Sequence, residues 1–116
     1  MFVVRIIEVF LPSAIAADGS FCSVMEPPHI GFRVEVIRAL DWKGNIIPDS
    51  AYVGTQHIVI EKATREAAAF YKGDTATIPR GFLTQGLETL SREEWLAQTR
   101  VLINHHDASV LKRSTV

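Results

Sequence analysis

The sequence predicts an α+β domain: an antiparallel sheet of four to five strands, a short middle helix, and a longer amphipathic C-terminal helix packed on the sheet. Three observations carry that expectation. β-Branched and aromatic runs fill the first half of the chain. The helix signals come late, at residues 64–73 and 91–110. Strands gathered ahead of helices favour an antiparallel sheet over alternating βαβ units.

Phe2 to Leu11 is the strongest strand signal. It is rich in Val, Ile and Phe, and Pro12 ends it. Both of its faces are mainly apolar, so it belongs in the middle of a sheet or under cover on both sides. Asp18-Gly19 marks a turn, and Phe21 to Met25 reads as a short strand. Pro27-Pro28 excludes a helix at that point.

Ile30 to Leu40 fits two periods. Phe32, Val34 and Val36 alternate with Arg33 and Glu35, while Phe32, Val36, Ile37 and Leu40 share a helical face. The β-branched content, the proline pair before it and the Asp41-Trp42-Lys43-Gly44-Asn45 loop after it favour a strand. Tyr52 to Lys62 is the next strand, with His57, Val59 and Glu61 on one face and an irregular entry at Gly54.

Thr64 caps a short helix through about Lys72, with Glu66 in its first turn and Gly73 as its stop. Thr75 to Ile78 reads as a short strand. Ser91 and Glu94 have capping-box spacing, and Leu90 and Trp95 have that of a hydrophobic staple. On the helix that follows, Trp95, Leu96, Thr99, Leu102, Ile103, His106 and Val110 fall within roughly 120° of one another. The whole of 1–116 is expected to form one domain, with residues from about 108 to 116 as a frayed tail.

The totals exclude several classes. A chain of 116 residues buries roughly 65% of its unfolded surface, enough for a core without metals or disulfides. Lys and Arg number 12 against 13 Asp and Glu, scattered along the chain, so neither nucleic acid nor an anionic membrane surface is an expected partner. Cys22 is the one cysteine, which excludes an intrachain disulfide and a multi-cysteine zinc site and fits a reducing, cytoplasmic setting. Residues 1–16 imitate a signal peptide, but Glu8 and Pro12 interrupt the apolar stretch. No phosphate-binding glycine loop, GxSxG elbow or HExxH motif occurs, and no cofactor is expected.

A few side chains stand out. His106 is the polar misfit on the apolar stripe of the C-terminal helix. It is the candidate catalytic group at the mouth of a pocket, or a core histidine satisfied by its surroundings. His105 and Asp107 point elsewhere on a helix, so the three cannot chelate one metal ion. His57 and Glu61 share a strand face about 13 Å apart and are candidate ligand-binding groups or part of a subunit contact. Trp42, beside Lys43 at a loop tip, either marks a contact surface or folds back over the sheet edge. Arg80, in a Pro-Arg-Gly loop, is a candidate anion ligand.

The expectation that follows is a non-catalytic binding or interaction protein that forms a homodimer. The alternative is a small-molecule enzyme or ligand-binding protein, with a pocket between the sheet and the C-terminal helix and His106 as its polar group.

Overall fold

The computed structural model describes residues 1–11, 28–84, 91–97 and 99–114. They build one six-stranded sheet. Its strands are β1 (Phe2–Phe10), β2 (His29–Ala39), β3 (Gln56–Lys62), β4 (Thr75–Ile78), β5 (Arg100–Ile103) and β6 (Lys112–Arg113). The helices α1 (Arg65–Ala68), α2 (Arg80–Leu83) and α3 (Arg92–Ala97) are all short. The expected α+β layout with a long C-terminal helix is therefore overturned. The described residues are mostly sheet, and α3 is the longest helix at 6 residues.

The sheet order is β5-β3-β2-β1-β4-β6. All neighbours are antiparallel except β3 and β5, which run parallel. Phe2 to Phe10 lies inside the sheet between β2 and β4, as its two apolar faces require. Phe2, Val4 and Ile6 enter the main core with Phe32, Val34, Val36 and Val59. Val3, Ile58 and Ile60 are buried too, at the alternating positions that face the other way.

Local chemistry explains the turns. Asp41 Oδ1 accepts from the amides of Lys43 and Asn45, both at 2.9 Å, and Gly44 supplies the positive φ of 85° that closes the loop. Leu40 and Ile46 pair across it. Thr64 caps α1, its hydroxyl accepting from the Ala67 amide at 3.1 Å. This helix ends at Ala68, short of the expected Lys72, and Gly73 (φ 94°) turns the chain towards β4.

The C-terminal correction has a physical cause. The serine half of the capping box forms: Ser91 Oγ accepts from the Glu94 amide, and it also donates to Glu94 Oε1, each at 3.2 Å. The helix it opens nevertheless stops at Ala97. Val101, Leu102 and Ile103 satisfy their backbone and bury their side chains better as a strand against Ile58, Val59 and Ile60. The described part of the expected frayed tail is held to the fold. Ser109 and Leu111 are buried, and β6 pairs with β4. The strand expected at Phe21 to Met25, Cys22 and the Leu90 half of the staple lie outside the described residues.

Candidate functional site

β3 carries His57 and Glu61 on its core face, with Val59 between them. Both side chains are buried, His57 at 2% exposure and Glu61 at 1%, so neither lies on a solvated face. Four strand residues keep them about 13 Å apart, and they serve separate networks.

Glu61 holds the C-terminal segment onto the sheet. Its Oε2 accepts from Ser109 Oγ at 2.6 Å, and its Oε1 accepts from Asn104 Nδ2 at 3.2 Å and from the Val110 amide. Asn104 extends the network. Its amide donates to the Ile60 carbonyl, its Nδ2 also donates to the Ala108 carbonyl, and its Oδ1 accepts from the His106 amide. A buried carboxylate left without donors is strongly destabilising, and three donors here replace its lost water. Ser109 borders an open cleft of about 300 Å³ with Thr64, Arg65, Asp107 and Lys112. Its hydroxyl is directed at two acceptors inside the fold, Glu61 Oε2 and the Leu111 carbonyl at 3.1 Å. It thereby ties the segment before β6 to Glu61 on β3.

His57 is held neutral. Thr55 Oγ1 donates to the Tyr52 carbonyl at 2.6 Å, so its oxygen is left to accept from His57 Nε2 at 2.9 Å. Burial first, and then the Arg100 charge opposite on β5, lower the imidazole pKa from 6.5 to about 4. A base that weak, with 2% exposure, is poorly matched to proton transfer near neutral pH.

His106 is not on a buried helical stripe. It is an exposed residue in the loop after β5, and the pocket expected between the sheet and a C-terminal helix loses the helix that was to wall it. Its neighbour Asp107 pairs with Lys62, whose hydrogen bond and charge hold the carboxyl below its usual range. Among the described residues no three His, Cys, Asp or Glu side chains gather into a metal site, and no helix is long and apolar enough to cross a membrane.

Trp42 and Arg80 follow strand ends at the same end of the sheet. Trp42 stands clear of the fold at 89% exposure, with the Lys43 ammonium 5.0 Å from its ring centroid. Ile46, on the same loop, and Met1, alongside Leu40, are exposed as well. Next to them is a cleft of about 180 Å³, walled by Leu40, Ile47, Tyr52 and Arg80 among others. Tyr52 packs on Phe2 at 5.0 Å between centroids, and Arg80 lies 6.0 Å from the Tyr52 ring.

Asn104 and Ser109 were not singled out by sequence reasoning, because a helix through residue 110 separates them from Glu61. The turn-forming run Asn104-His105-His106-Asp107 was the signal that the regular element ends there. The cleft beside Tyr52 had no local signal, since its walls come from four separate parts of the chain. Comparison with protein-family models, with curated proteins and with solved structures returns no match.

Proposed function

We propose that this chain is a non-catalytic interaction domain that works as a homodimer, in a cytoplasmic setting consistent with its lone cysteine. One observation carries the reading: the exposed apolar group of Trp42, Ile46 and Met1 at a single end of the sheet. Scattered exposed apolar residues are ordinary, but an aromatic and two aliphatic side chains together next to a cleft mark a contact surface. The buried Glu61 supports the same reading, because donors within the fold engage both of its oxygens. The outer strands β5 and β6 have 4 and 2 residues, too short for extensive edge-to-edge pairing, which directs association to the end of the sheet.

Sedimentation velocity over a concentration series tests the reading. A monomer–dimer equilibrium with a dimer at micromolar concentration is the expected result. A strict monomer at high micromolar concentration would overturn it.

A further inference from the structure

We propose that β5 is an acid-opened latch: protonation of His57 releases this strand from the edge of β3, with Asn104 as the hinge, while the rest of the sheet stays closed. The inference goes beyond the dimer reading and does not depend on it.

The imidazole has no room for a second proton. His57 is 2% exposed. Its Nε2 donates to Thr55 Oγ1 at 2.9 Å, and among the described residues its buried Nδ1 has no hydrogen-bond partner. Protonation places a new N–H on Nδ1, and a buried donor without an acceptor is destabilising. It also creates a cation opposite Arg100, the residue in register with His57 on β5. Like charges directly opposite on neighbouring strands repel.

The surroundings leave one direction for relief. On β2 the residue opposite His57 is Val34, apolar and fully buried. The turn before β3 contributes the Thr55 hydroxyl and the Tyr52 carbonyl, while the Tyr52 ring packs on Phe2. That turn is bonded to β2, with the Val36 amide donating to the Thr55 carbonyl at 3.0 Å and the Gly54 amide to the Val36 carbonyl at 2.8 Å. On β3 itself, Glu61 shares the face but is about 13 Å away and holds three donors of its own. On β5 the facing group is the Arg100 guanidinium, whose charge already disfavours the imidazolium.

β5 is also the least firmly held of these elements. It is the outermost strand at its side of the sheet and pairs with β3 from Arg100 to Ile103, whereas β2 pairs with β3 from His29 to Glu35. Its two ends differ. Arg100 begins the strand opposite His57. Past Ile103 the chain is anchored by Asn104, whose amide donates to the Ile60 carbonyl and whose side chain donates to Glu61. Repulsion at one end and an anchor at the other make the strand swing from its start. Opening hydrates the imidazole, separates it from Arg100 and bares the edge of β3.

Native-state hydrogen exchange on the wild-type chain and His57→Gln tests the latch, with rates corrected for the intrinsic effect of pH on exchange. In the wild-type chain the protected amides of β5 are expected to show less protection, and a weaker dependence on urea, than those of β1 and β2. Their protection is expected to fall about 30-fold between about pH 7.5 and about pH 5, the ratio produced by an imidazole that titrates at about 4 when closed and 6.5 when open. His57→Gln does not titrate and is expected to abolish that fall. Equal protection and equal urea dependence in β5, β1 and β2 would overturn the latch, because the sheet would then open as one unit. So would a β5 protection that does not change with pH, or a fall that persists in His57→Gln. The comparison between strands uses the wild-type chain, so it decides the matter even where His57→Gln fails to fold.

Discussion

His57 makes the folded state sensitive to protons. The unfolded chain protonates this imidazole near pH 6.5, and the folded chain near pH 4. Between those values the unfolded state binds more protons, so stability falls as the pH is lowered through the window and is complete above it. The full shift corresponds to about 3 kcal/mol. His57→Gln keeps a side-chain N–H to donate to Thr55 but does not titrate. Urea denaturation of the wild-type chain at pH 6.5 and at pH 4 is expected to show a marked loss of stability, and the variant a smaller one. Equal losses in the two proteins would show that His57 is not the group responsible. Glu61 shows the opposite use of a buried polar group, since its two oxygens receive three donors and join the segment between β5 and β6 to β3.

In β1 the pairing with β2 skips from Ile6–Val34 to Glu8–Arg33, leaving Ile7 as an extra residue. The bulge sends Glu8 and Phe10 to the face occupied by Arg33 and Gly31. Glu8 forms an ion pair there with Arg33 at 3.7 Å, and the Phe10 ring lies directly over Gly31. A Cβ at position 31 would come within 2.5 Å of that ring. Gly31→Ala is therefore expected to cost about 1–3 kcal/mol, measured by thermal or urea unfolding. Adding Phe10→Leu, which removes the ring, should make the Gly31→Ala penalty smaller. A penalty unchanged by the second substitution would place the clash elsewhere. The three long strands were legible because β-branched residues, prolines and a turn sequence all agreed on them. Residues 91–110 misled for an identifiable reason. A good cap and a helical spacing of apolar residues are local facts, whereas the open edge of β3 that captures Val101 to Ile103 is a distant one. The same limit applied to the site. Glu61 and His57 could be placed on one strand face, but their burial and their partners depended on where β5 and the following loop came to rest.

For the molecule as a whole, the last described segment completes the core. Leu111 is 1% exposed and packs in the same cluster as Phe2 and Phe32. Leu111→Ala is expected to cost about 2–5 kcal/mol by urea denaturation, as at other fully buried leucines. A loss below 1 kcal/mol, on the order of a surface substitution, would show that the segment beyond residue 108 is dispensable.

The order of the strands also has a consequence in time. β1, β2 and β3 follow one another as neighbours, but β4 returns to the far side of β1, and the parallel β5 returns to the far side of β3. Each return closes a loop of tens of residues before any hydrogen bond rewards it. High contact order of this kind places refolding in the range of roughly milliseconds to seconds rather than microseconds. During synthesis the first three strands emerge long before the segment that Glu61 is to hold. Until residues 100–113 arrive, the growing chain exposes a strand edge and a buried-to-be carboxylate, and it is in that interval that a chaperone would find it.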